Sequence, residues 1–241
     1  MSSDGSWIRA RFRCRTRDSD GRPIGGRVLG GPAGKLRDNT FEGVTMNDTT
    51  SNPRPRAGSA HVVGSTEPAL WHETIPAAFK RTVARYPDRD AAVFVEQGVR
   101  YTWAELDAEV DALALGLREL GLVKGDRVGI WAPNRAEWVL TQFATARLGL
   151  IMVNINPAYR LAELEYALNK VSCKALVTAV QFKSSDYVGM LETLAPELAT
   201  AHPGELKAAR LPNLRSVVCM GEARPGMFGF GDVIERGRGQ P

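Results

Sequence analysis

The chain has 241 residues, enough for one large domain or two small ones with a substantial buried core, so a peptide or a disulfide scaffold is excluded. Hydrophobic residues make up 44% and charged residues 24%, the balance of a globular domain, and no apolar run approaches the roughly 18 to 20 residues that a membrane-spanning helix needs. The net charge of +4 sits at the front, with 11 Lys/Arg against 6 Asp/Glu in residues 1–60 and 20 against 21 in residues 61–241, so the folded part is not expected to bind nucleic acid.

Residues 1–65 combine clustered Gly and Pro with alternating arginines (Arg9, Arg11, Arg13, Arg15, Arg17) and almost no periodic apolar pattern. Such a stretch cannot bury enough surface to offset the entropy of ordering, and it reads as a disordered basic leader. Asp4, Asp18, Asp20, Asp38 and Glu42 argue against an organellar transit peptide, which avoids acids, and Met46 is the favoured working start. The folded region is expected over residues 66–241.

There Ile75, Phe79, Val83 and Tyr86 recur at helical steps, predicting a helix that Pro87 ends. Residues 91–98 and 99–102 read as two strands around a turn at Gln97-Gly98. Thr102 with Glu105 forms a capping box opening a long helix, whose Leu106, Val110, Leu113 and Leu117 share one face and which Gly121 stops. Then come a strand at 127–132, a helix capped by Asn134 with Val139, Phe143, Ala146 and Leu150 inward, and a strand at 150–156. A helix on Leu161, Leu164, Leu168 and Val171 precedes a strand at 173–179. A helix on Tyr187, Leu191, Leu194 and Leu198 precedes the last strand, at 216–221. Strands alternating with helices in this way predict an α/β fold: a doubly wound, mainly parallel sheet with flanking helices.

Chemical signals are sparse. GGPAGKL (30–36) lacks the first glycine and the final hydroxyl of a phosphate loop, having Leu29 and Leu36 there; GMFGFGDVI (226–234) has Ile234 in place of a third glycine and reads as a flexible loop. His61, His72 and His202 are scattered and read as surface. Cys14, Cys173 and Cys219 have no metal or disulfide spacing; the latter two read as buried structural thiols, in keeping with a reducing, cytoplasmic location. Glu163 and Glu165 diverge around a helix and read as solvent-side charges, as do Glu105, Asp107, Glu109 and Asp111. No residue is assigned a catalytic, cofactor-binding or metal-binding role.

The wording of residues 99–170 resembles the opening third of the AMP-forming acyl-CoA synthetases. The matching pieces are Tyr101-Thr102 with Leu106, the run Lys124 to Val128, Pro133-Asn134 with Glu137 and Trp138, the Gly149 turn, and Asn156-Pro157 with Tyr159, Glu163, Leu164 and Tyr166. The likeness covers residues of about 68 to 222, and the continuation from Cys173 is similar to the medium-chain fatty acyl-CoA synthetase branch. It implies the first, truncated part of that family's large N-terminal domain over 66–241. It also implies a reaction in which a fatty acid and ATP, with magnesium, give an acyl-adenylate and pyrophosphate, after which the coenzyme A thiol displaces AMP. That chemistry needs a Thr/Ser/Gly-rich phosphate loop and a lysine, and residues 222–241 contain no such loop. The resemblance therefore implies a chain that is inactive alone, either a fragment or a half that docks onto a separately encoded remainder. Apolar surface left open by truncation is expected to promote aggregation.

Overall fold

The computed structural model describes residues 67–240. The basic leader, Met46, the stretch 30–36, Cys14 and His61 lie outside the described residues. Contacts divide the chain between Ala69 and Leu70, and every described helix and strand belongs to the unit that begins at Leu70.

Helix α1 (Ile75–Arg85) starts where the Thr74 hydroxyl accepts from the Ala77 N–H at 3.3 Å, and it stops before Pro87. Strands β1 (Asp90–Phe94) and β2 (Val99–Thr102) pair antiparallel. The extended stretch is shorter than the sequence predicts, because Val95–Gln97 coils into a 3-10 turn that Gly98, at φ 65°, closes. Helix α2 (Trp103–Glu119) carries the expected capping box: Thr102 Oγ1 accepts from the Glu105 N–H at 3.2 Å, and Glu105 Oε2 from the Thr102 N–H at 2.8 Å.

Strand and helix then alternate through β3 (Arg127–Trp131), α3 (Ala136–Leu148), β4 (Ile151–Asn154), α4 (Leu161–Lys170) and β5 (Ala175–Ala179). A two-residue hairpin, β6 (Gln181–Phe182) and β7 (Ser185–Asp186), leads into α5 (Tyr187–Leu194). The predicted helical face there ends early, since Pro196 removes an N–H and Leu198 enters the core from a 3-10 turn at Pro196–Ala199 instead. Strand β8 (Ser216–Met220) is followed by β9 (Phe228–Gly229) and α6 (Phe230–Arg238).

The main sheet runs β4-β3-β5-β8-β9, and each pairing is parallel, as the α/β reading expects. Every residue of β5 and β8 is buried, so both faces must be covered by helices. Helices α2, α3 and α6 pack together on one side, while α4 and α5 pack on the other. Gly129 leaves room for side chains of the neighbouring strands: a Cβ there would lie 3.0 Å from those of Leu176 on β5 and Ile155 just after β4.

Three expectations need correction. Residues 226–234 do not form a flexible loop: Met227, Phe228, Phe230 and Val233 are buried, and the segment supplies the sheet's last strand and a helix. Just beyond it, Gly237 serves packing together with Gly116 of α2: α6 crosses α2 so closely that a Cβ on Gly237 would overlap the Ala112 carbonyl oxygen and one on Gly116 the Val233 carbonyl oxygen. In α3 the buried residues are Ala136, Leu140, Thr141, Ala144 and Thr145, while Val139, Phe143 and Ala146 are half-buried. This helix is covered on two sides, with the sheet on one and the Phe79 ring of α1, 4.5 Å from that of Phe143, on the other, so no single stripe marks its inward face. Finally, the acids of α2 do more than face solvent. Asp107 and Asp111 both pair with Arg147 of α3 and with Lys80 of α1, the latter at 2.9 and 3.0 Å, and Glu109 pairs with Arg238 of α6. The Arg147 side chain is only 10% exposed, so this cluster pins three helices together at a point partly sheltered from solvent.

The α2–α6 crossing yields a contrast within one helix. Gly237→Ala is expected to lower stability by about 1 to 3 kcal/mol or more through overpacking. Gly231→Ala, where a Cβ meets nothing within 4 Å, is expected to be neutral or to stabilise by up to about 1 kcal/mol. Urea melts of the two variants check this.

Candidate functional site

The chain leaves β3 for β4 on one side and returns for β5 on the other. Right-handed crossovers that move apart in this way diverge to opposite faces, leaving a crevice at the carboxyl ends of the two strands, where open α/β sheets take ligands. A cleft of about 520 Å³ lies there. Pro133, Asn134 and Arg135 from the β3–α3 connection form one wall, Gln181, Phe182 and Lys183 from the small hairpin another, and Phe94 to Gln97 from the first hairpin's turn the third.

The first of these walls is held by a side chain that acts as a cap from a distance. Sequence places Asn134 as the cap of α3; in the structure the N-cap residue is Arg135, without a side-chain bond of its own. Gln97 does the work instead: its Oε1 accepts from the Ala136 N–H at 2.8 Å, and its Nε2 donates to Glu137 Oε2 at 2.9 Å. Arg135 donates to both oxygens of Glu137, at 2.7 and 3.2 Å. Burial alone would raise the Glu137 carboxyl, but Arg135, the residue's own N–H and Gln97 outweigh it and hold the group below its ordinary value of 4.5. Asn134, Gln181 and Lys183 are left exposed around the cleft.

Beside this cleft the β4–α4 connection is tied down by an aromatic pair. Trp131 and Tyr187 are both fully buried and stack with centroids 3.9 Å apart. The Trp131 Nε1–H donates to the Asn156 carbonyl at 3.1 Å and the Tyr187 hydroxyl to the Pro157 carbonyl at 2.6 Å, while Asn156 Oδ1 accepts from the Ala158 N–H at 2.9 Å. Burial pushes the Tyr187 phenol up from its ordinary value. Beyond the loop, Val153, Ile155, Tyr159, Tyr166 and Val171 line an apolar groove of about 410 Å³, with Glu163 and Lys170 among its polar residues.

This arrangement can bind and orient a ligand. Cys173 and Cys219 are buried, as expected, and desolvation pushes the Cys173 thiol up to about 11. His72 and His202 are exposed, as expected, and line none of these cavities. Glu163 accepts from the Arg160 N–H at 3.1 Å as a helix cap, and Glu165 pairs with Arg210 at 2.5 Å, so neither is a free solvent-side charge. Among the described residues no group of three His, Cys, Asp or Glu side chains could hold a metal. Sequence reasoning missed Gln97, Trp131 and Tyr187, whose partners lie tens of residues away where no spacing rule reaches.

A parallel sheet with a crevice at its strand reversal defines an α/β ligand-binding domain, and comparison with known proteins narrows the class. The profile of the family described as AMP-binding enzyme matches residues 79–215, and the chain belongs to that family. It is 46% identical over 186 residues to "Medium-chain acyl-CoA ligase ACSF2, mitochondrial" of Danio rerio, covering 77% of this chain and 31% of that protein. With the Homo sapiens protein of the same name it shares 44% over 183 residues, 76% of this chain and 30% of that one. The chain thus spans about a third of the length of these curated relatives. A solved structure of the anthranilate CoA ligase AuaEII in complex with anthranoyl-AMP has the same fold, with a TM-score of 0.57, 24% identity, and coverage of 70% of this chain and 28% of that one.

Among the matched residues, Thr102 caps α2, Asp126 accepts from the Val123 N–H at 2.9 Å and from Lys174 at 2.7 Å, Leu164 is core, and Glu163 caps α4. Asn134 lines the cleft that Glu137 helps to hold.

Three measurements follow from this geometry. Gln97→Ala should cost about 1 to 2 kcal/mol in a urea melt, the loss of a helix cap and a bond to a charged group. Because the folded Glu137 carboxyl lies below 4.5, its contribution is present above that value and is lost as pH falls through the folded one. The melting temperature should therefore drop as pH falls below about 4.5, and Arg135→Ala should flatten that dependence. In the native state Cys173 and Cys219 should resist a thiol reagent at neutral pH until the protein unfolds.

Proposed function

We propose that this protein serves as an acyl-CoA synthetase that activates a medium- to long-chain fatty acid with ATP, through an acyl-adenylate, and passes the acyl group to the thiol of coenzyme A. The observation that carries this reading is the 46% identity, over 77% of the chain, to a relative named a medium-chain acyl-CoA ligase.

The described residues fit part of that task. Asn134, Gln181 and Lys183 offer amide and ammonium groups to a polar, anionic ligand at the strand ends, and the Gln97–Glu137–Arg135 cluster fixes the wall from which one of them projects. Residues 222–241 contain no Thr/Ser/Gly-rich phosphate loop, and the stretch 226–234 is folded into strand and helix. The stretch 66–241 therefore acts as the opening part of the synthetase domain, a scaffold with a binding cleft, following a basic leader over 1–65. None of the described helices is long and apolar enough to cross a membrane. The buried free thiols support a reducing location, read here as the cytoplasm, although the relatives carry "mitochondrial" in their names.

The purified 241-residue chain, given ATP, magnesium, coenzyme A and a medium-chain fatty acid, is expected to release no pyrophosphate above background. Sustained release would show that the chain completes adenylation by itself. A co-purifying partner that restores release would make this chain one half of a two-chain synthetase.

A further inference from the structure

Three large apolar side chains are exposed where the unit that begins at Leu70 opens: Leu70 is 82%, Trp71 73% and Ile75 57% exposed. They lie within six residues of one another around the start of α1, and Trp71 lies alongside α1 beside Arg81, Arg85 and Tyr86. Guanidinium groups flank this stretch. Arg81 sits over the Trp71 indole, 4.4 Å from its centroid, held there by an ion pair to Glu73 at 2.5 Å. Arg85 and Arg89 lie over the Tyr86 ring at 5.2 and 4.8 Å. Trp71, Arg81, Arg85 and Tyr86 border one cleft of about 410 Å³. The sequence before this stretch carries the chain's surplus of positive charge, 11 Lys/Arg against 6 Asp/Glu in residues 1–60.

Indole and phenol rings with an apolar body and a polar edge, next to guanidinium groups, match the chemistry of a bilayer interface: aromatic and aliphatic groups enter the headgroup boundary and arginines meet lipid phosphates. We propose that this face docks the protein onto an anionic lipid surface, with Leu70, Trp71 and Ile75 entering the interface and Arg81, Arg85 and Arg89 contacting phosphate groups. Docking of this kind is peripheral and reversible, and it combines two weak signals, apolar insertion and charge. The inference rests on this surface alone and stands whether or not the chain takes part in acyl activation.

The test is co-sedimentation of the full chain with phosphatidylcholine vesicles, with and without phosphatidylglycerol. Binding is expected only to vesicles containing the anionic lipid, and it should weaken as salt is raised. Leu70→Ser/Trp71→Ser should lower the apparent affinity about tenfold or more, and so should Arg81→Gln/Arg85→Gln/Arg89→Gln. A conservative Trp71→Phe variant should keep most of the binding while losing a share of the tryptophan quenching by brominated lipid. Equal binding to pure phosphatidylcholine, no binding to either vesicle, or undiminished binding by Leu70→Ser/Trp71→Ser would overturn the proposal; the last would assign the attraction to the basic leader. Quenching unchanged in Trp71→Phe would also overturn it, because the indole would then lie outside the interface.

Discussion

The structure depends on three central strands that have no wet face. Strands β3, β5 and β8 are buried along almost their whole length, and a parallel sheet in that state is stable only if helices cover both sides. From that requirement the rest follows. Crossovers of one hand can supply helices to both faces only if the chain reverses direction along the sheet, which it does between β3 and β5. The reversal parts the loops at the strand ends, and the cleft lies in the gap they leave. Cover and cleft are two results of one constraint.

Around this sheet, polar and small residues do work that an apolar pattern cannot specify. Gly116 and Gly237 bring α2 and α6 to a distance at which backbone meets backbone. Arg147, almost enclosed, gathers Asp107 and Asp111 across a helix interface that Lys80 shares. Trp131 at the end of β3 and Tyr187 at the start of α5 bond the carbonyls of Asn156 and Pro157, so a core strand and a core helix also fix a loop next to the cleft. Each of these devices is short-range in space and long-range in sequence.

That difference in range explains what could be read from residues alone. The capping box at Thr102, the αL turn after Gln97 and the alternation of strand and helix depend on neighbours a few positions apart, and they stand where the spacing placed them. The inward face of α3 was not legible, because a helix covered on two sides shows no single stripe. The stretch 226–234 reads as a loop because glycine is a weak former of helix and strand; in the fold it supplies a strand and the opening of a helix, and its Met227, Phe228, Phe230 and Val233 are buried.

The sequence by itself determined the α/β class, the alternation of strand and helix as far as β8 apart from the small hairpin, and the kinship with AMP-binding enzymes, since periodicity, caps and motif wording are local properties of the chain. Only the tertiary structure decided that Gln97 caps α3, that Trp131 stacks on Tyr187, that the acids of α2 are paired, and that Leu70 and Trp71 are left exposed. A hydrogen bond or a buried surface is set by which distant segments are brought within a few ångströms, and that distance is a property of the folded sheet and its helices.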